Sequence, residues 1–186
     1  MKMKITALAL LSACVLIMSC KKDKVEEPNE EEVITTMKLS FVPVGGGTTL
    51  TYQFDDPDGP GGTLPTQDEI VLAPAQSYNV TVQLLNKTVT PIEDITTEIQ
   101  AEADAHRFYY EPSASGNIVV SGLDNDGNAV PLGITSTWTT GTVATGKIKI
   151  TLRHYPNTPP NKAVGDPVNS TKSSTDIEVE FNTKIQ

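Results

Sequence analysis

The sequence predicts a mainly β protein: an antiparallel β-sandwich of Ig-like architecture with one short α-helix. Three observations lead there. From Val33 onward, apolar side chains recur at every second position in eight or nine short runs. Turn-forming groups such as Gly45-Gly46-Gly47 and Asp124-Asn125-Asp126-Gly127 separate those runs. One stretch, ITTEIQAEADAHRFYY at residues 95–110, departs from the two-residue period and reads as helical. Short strands with a single helix bury their apolar faces best as two packed sheets.

The chain opens with a leader. Lys2 and Lys4 give a positive start, and residues 5–19 form an apolar run too short to span a bilayer. Residues 1–19 are therefore expected to be a lipoprotein signal peptide. Ile17-Met18-Ser19-Cys20 resembles the bacterial lipidation motif, with Cys20 as the lipidated residue. Leu11-Ser12-Ala13-Cys14 is a competing match, but cleavage there would expose residues 15–18 and shorten the apolar run. Acyl chains on Cys20 would anchor the protein without a transmembrane helix. Residues 20–32, CKKDKVEEPNEEE, hold charge runs and little to bury, so they read as a disordered acidic tether. Residues 33–186 form the expected β-sandwich domain.

Within it, Met37, Leu39 and Phe41 alternate with polar residues, and Leu50, Tyr52 and Phe54 repeat the pattern after the glycines, predicting a hairpin. Glycine and proline keep residues 55–66 irregular. Ile70 and Leu72 mark a short strand, and Tyr78, Val80, Val82 and Leu84 a strong one. Asp94 is the expected N-cap of the helix. Strands follow at Phe108–Tyr110, at 118–123 and at 134–139, the last carrying Trp138, the only tryptophan. The clearest strand is 147–155, where Ile148, Ile150, Leu152 and His154 share one face. A polar loop at 156–174 leads to a last strand through Ile177, Val179 and Phe181.

Composition narrows function. Both cysteines, Cys14 and Cys20, lie in the leader, so the domain carries neither a disulfide nor a thiol nucleophile. Losing residues 1–19 removes Lys2 and Lys4 and moves the formal charge from −9 to −11. That acidity argues against nucleic acid, whose phosphates require a basic surface. It suits cations or basic partners, and it also suits plain solubility.

Several pieces resemble a known family: EEEVITT, GGGTTLTYQFDDPDG, PIEDITTEIQAEADAHRF and TTGTVATGKIKITLRHYPN. They are similar to small lipoproteins of the Bacteroidota commonly labelled "type 1 periplasmic binding fold superfamily protein". The resemblance covers nearly the whole mature chain and implies an address at the outer membrane and no particular chemistry. The label implies two α/β lobes, whereas the residues predict a β-sandwich with one helix.

The first chemical candidate is Glu98, Glu102 and His106, spaced i, i+4, i+8 like metal ligands, with His106 in one helical stripe with Ile95 and Ile99, Glu102 at its edge and Glu98 further round. Carboxylate plus imidazole suits a divalent transition metal such as zinc. The alternative is a core histidine that complements the helix end. His154, the second histidine, ends its strand on the apolar face and would complete a site if the two meet. The aspartates around Gly59 and Gly127 suggest looser calcium loops, although Pro65 and Gly133 stand where an EF-hand needs its glutamate. No G-x-S-x-G, H-E-x-x-H or phosphate loop is present, so a non-catalytic role is expected. The expectation is a lipid-anchored module that captures a divalent metal for a TonB-dependent outer-membrane transporter. Alternatives are a glycan- or protein-contact module using Trp138, Tyr109 and Tyr155, and a structural Ig-like spacer.

Overall fold

A computed structural model describes residues 32–186; the expected signal peptide, Cys20 and nearly all of the tether lie outside the described residues. Strands β1 (Thr36–Pro43), β2 (Leu50–Asp55), β3 (Thr66–Gln67), β4 (Ile70–Leu72), β5 (Ser77–Asn86) and β6 (Glu93–Asp94) precede helix α1 (Ile95–Ala101). Then come β7 (His106–Pro112), a 3-10 turn at Ala114–Gly116, β8 (Ile118–Ser121), β9 (Thr135–Thr140), β10 (Ala144–His154) and β11 (Ser174–Ile185).

They form a β-sandwich. One sheet runs β3-β2-β1-β5-β9-β8, with β6 also on β5, and the other runs β4-β11-β10-β7. Every pairing is antiparallel except that of β4 with β11, which is parallel. The alternating positions meet between the sheets: Met37, Leu39 and Phe41 from β1, Val80, Val82 and Leu84 from β5, and Ile148, Ile150 and Leu152 from β10 are all buried. Phe41 packs edge-on against Trp138 with centroids 5.1 Å apart, and Trp138 in turn meets Tyr110 of the opposite sheet at 5.9 Å. The buried Trp138 indole N–H donates to Ser136 Oγ at 2.9 Å, so no polar group is stranded there.

Helix α1 is shorter than the sequence pattern suggests. Asp94 caps it as expected, accepting from the Thr96 amide at 3.0 Å. The Glu102 amide closes its last turn on Glu98. The chain turns at Ala105, whose amide donates to the Glu102 carbonyl, and His106 begins β7 instead of a third helical turn. The i, i+4, i+8 ladder of Glu98, Glu102 and His106 is therefore not a helical stripe. Ala and Glu favour helix here, but pairing of residues 106–112 with β10 buries His106 and Phe108, and that tertiary gain overrides local propensity.

Two further features hold β7 in place. Its outer edge is covered: the Phe108 amide donates to the Leu132 carbonyl at 2.7 Å and Tyr110 Oη to the Gly133 carbonyl at 2.6 Å. Gly133 has φ +88°, and a Cβ there would come within 3.0 Å of the Phe108 Cβ, so this close cover requires glycine. On the outer face, loop 156–173 lies across the sheet. Arg107 sits over the Tyr109 ring at 4.5 Å and donates to the Ala163 and Val164 carbonyls at 3.0 Å each.

The buried Lys162 ammonium fastens that loop. It lies 2.8 Å from Asp126 Oδ2 and donates to the carbonyls of Ala103 (2.6 Å), His106 (2.8 Å) and Pro131 (3.3 Å). Four acceptors around one ammonium satisfy its donors and tie three segments to the start of β7. Burial pulls the Lys162 pKa below its usual value despite Asp126, whose own carboxyl the ammonium holds below the usual range. Removing one partner leaves a buried, uncompensated charge. Asp126→Ala is expected to lower unfolding free energy by about 3–5 kcal/mol, read from urea denaturation, whereas Lys162→Met with Asp126→Leu should recover most of that loss.

Candidate metal centre

The pairing of β7 with β10 places His106 directly opposite His154. The Tyr155 amide donates to the Ala105 carbonyl at 2.7 Å, just outside this pair, so the two histidines form a non-hydrogen-bonded pair. Side chains approach most closely at such positions. Parity then sets their direction. His106 precedes Phe108 and Tyr110, and His154 follows Ile148, Ile150 and Leu152, so both imidazoles point between the sheets. Their ring centroids are 4.4 Å apart at a tilt of 38°.

His106 is fully buried and His154 nearly so, at 8% exposure. His106 Nδ1 lies 3.1 Å from the Glu102 carbonyl oxygen, which can only accept. The Nδ1 proton is therefore committed, and in the neutral ring Nε2 carries the lone pair. Among the described residues, His106 Nε2 and His154 Nδ1 are buried without a hydrogen-bond partner. Glu102, at the C-cap of α1, is exposed and joins from the solvent side. One ligand atom from each of Glu102, His106 and His154 can be chosen so that all lie within 4.8 Å of one another.

Glu98 is not in that group; it stays exposed on α1. Its charge is felt instead at Glu32, whose carboxyl is pushed up to about 7, first by burial and then by Glu98, Glu102 and Glu93. An acidic rim thus lies beside the histidine pair.

Strict alternation from Ile177 and Val179 aims Asp176 at solvent, so sequence reasoning missed it. In the structure Leu152 pairs with Ile177 but Arg153 pairs with Thr175, leaving Asp176 as the extra residue of a β-bulge in β11. Bulges re-aim side chains, and here the carboxylate turns inward. Its Oδ2 lies 3.8 Å from His106 Nε2, and both side chains are fully buried. Ser174 stands opposite His154 on β11, its Oγ also buried without a hydrogen-bond partner. No feature of the two-residue period marks this bulge in advance.

The aspartate turns are occupied by local bonds. Asp126 takes the Lys162 ammonium and the amides of Asn128 and Val130, and Asp124 accepts from the Thr135 amide. Asp58 accepts both the amide and the hydroxyl of Thr63. Of the aromatics considered for a glycan platform, Trp138 and Tyr155 are fully buried. Tyr109 lies under Arg107, with its hydroxyl bonded to Tyr155 Oη at 2.8 Å and to the Asp166 carbonyl at 3.0 Å.

The chain matches no family model, no curated protein and no solved structure. Fold and site together define a class: a β-sandwich with a buried histidine pair and a carboxylate rim at one end.

Burial first, and then the charges of His154 and Lys162, lower the His106 pKa to about 4; burial lowers His154 as well. In an unfolded chain His106 titrates near 6.5, so between about 6.5 and 4 the unfolded state binds more protons. Stability from this residue is complete above the unfolded value and is lost as pH falls toward 4. The urea midpoint should therefore drop between pH 7 and 4.5. His106→Asn, whose amide can still donate to the Glu102 carbonyl, should flatten that part of the slope, and a wild-type midpoint independent of pH would contradict a buried neutral His106.

Proposed function

We propose that this protein is a lipid-anchored, non-catalytic binding module that takes up a divalent transition metal through Glu102, His106 and His154. The observation that carries the reading is the meeting of the two imidazoles, 4.4 Å apart and buried, with Glu102 within ligand reach. Two neutral imidazoles with buried, unpartnered nitrogens are costly unless a donor or a cation reaches those nitrogens. Neutral imidazole and carboxylate suit zinc, manganese, iron(II) or nickel better than calcium or magnesium, which prefer all-oxygen sites.

Glu98 belongs to the surrounding field rather than to the ligands. The exposed carboxylates of Glu98 and Glu93 raise the local cation concentration at the mouth. Glu102, exposed at the end of α1, serves as the ligand that closes on the ion from solvent.

The address rests on residues 2–20. Among the described residues no helix is long and apolar enough to cross a membrane. A lipid on Cys20 would hold the domain at the outer membrane, where a TonB-dependent transporter is the proposed recipient of the metal. Mass spectrometry of the N-terminal peptide should find the acyl chains on Cys20; finding them on Cys14 would refute this assignment.

Zinc offered to the full chain in detergent should stabilise it by about 2.7 kcal/mol at a hundredfold excess over Kd. For a domain of this size that raises Tm by roughly 5–11 °C. His106→Ala and His154→Ala should each abolish the rise, while Glu98→Gln and Lys149→Ala should keep it. Because burial keeps His106 neutral down to about 4, proton competition should weaken binding only well below pH 6. No shift with Zn²⁺, Mn²⁺, Ni²⁺ or Fe²⁺ would remove the reading.

A further inference from the structure

We propose that Asp176 is a fourth, inner ligand of this centre, so that a divalent ion is held between two imidazoles and two carboxylates. The inference rests on the metal-binding reading above and specifies its donor set. Its starting point is the bulge in β11. Without the extra residue opposite the Leu152–Arg153 step, residue 176 would face outward; with it, the carboxylate lies fully buried beside His106.

Distance separates a ligand from an orienting partner. A carboxylate that merely orients a ligating histidine accepts its second ring N–H at hydrogen-bond length. The orienting bond of His106 already exists on the other side of the ring, from Nδ1 to the Glu102 carbonyl. Asp176 Oδ2 is 3.8 Å from Nε2, too far for a hydrogen bond. Two donors sharing a tetrahedral ion at about 2.0–2.1 Å sit roughly 3.3 Å apart. Asp176 stands outside the group whose ligand atoms lie within 4.8 Å of one another, so binding requires its side chain to turn toward the ion, closing its distance to Nε2 by about half an ångström.

Charge points the same way. The Asp176 carboxyl and the Nε2 edge of His106 face one another inside the sandwich, so both can turn toward one ion. A divalent ion with two carboxylates makes a centre of zero net charge, which suits a site at the rim of an apolar core. Asp176 then supplies the buried half of the ligand set and Glu102 the solvent half. A donor set of two imidazoles and two carboxylates excludes soft, thiolate-seeking ions such as Cu(I) and favours borderline divalent ones.

The direct test is a crystal structure of the full chain with Zn²⁺, its position fixed by anomalous density at the zinc edge. The expected result is an Asp176 oxygen at about 2.0–2.2 Å from the ion. A competition titration against a chromophoric chelator should show Asp176→Asn weakening Zn²⁺ binding by more than about 100-fold, the upper range for an outer-shell partner. An ion bound by His106 and His154 but more than about 3 Å from both Asp176 oxygens, beyond any coordination distance, would overturn this inference and leave the metal-binding reading standing. Unchanged affinity in Asp176→Asn would do the same. If the wild-type chain binds no Zn²⁺ at all, both readings fall. Should Asp176→Asn fail to fold, the wild-type crystal alone decides.

Discussion

Pairing of β7 with β10 is the constraint on which this end of the molecule depends. Once Phe108 opposes Leu152 in the core, the antiparallel register puts His106 opposite His154 two residues further on, and parity aims both rings inward. A slip of β7 by one residue would send the His106 ring to the outer face, where Arg107 and Tyr109 now lie, and part it from His154. The apolar cores of the two strands thus hold the polar end in register, and the histidines inherit a geometry that they do not themselves stabilise.

Around that pair the polar groups are arranged in a consistent direction. The Nδ1 proton of His106 goes to the Glu102 carbonyl, and the carbonyl of His106 itself goes to Lys162. Lys162 is paired with Asp126, and its charge still helps to lower the His106 pKa. Carboxylates collect on the side open to solvent, at Glu98 and Glu102, and one more, Asp176, is turned inward by a bulge. The result is a cluster rich in acceptors at the rim of an apolar core, backed by the loop that Arg107 and Lys162 hold against the sheet. A single divalent cation could be shared by these acceptors, and that links the proposed function to the proposed fourth ligand.

Much of the fold was legible from the chain. The two-residue period locates β1, β2, β5, β10 and β11, Asp94 marks the helix start, and the glycine run after β1 marks the hairpin. The candidate ligands Glu102, His106 and His154 were also legible, though partly for the wrong reason. The reading that linked Glu102 to His106 assumed a continuous helix, whereas the helix ends at Ala101, and with it went the place of Glu98. What joins Glu102 to His106 is a tight turn into a strand, which brings the Glu102 carbonyl back to the ring by a different path.

The sequence by itself determined the alternation of apolar side chains, and therefore the class of fold and the inward face of each strand. It also set the acidic balance and the two histidines at the ends of their elements. Beyond the β1–β2 hairpin, which strands pair, and in what register, depends on contacts between residues far apart in the chain, and no local pattern encodes those. Only the tertiary structure decided that His106 meets His154 across 48 positions of sequence, because a β-ladder joins distant segments through backbone bonds common to every residue. It also decided that Asp176 faces inward, since a bulge arises from the pairing of two strands and leaves no mark on the periodicity of either one.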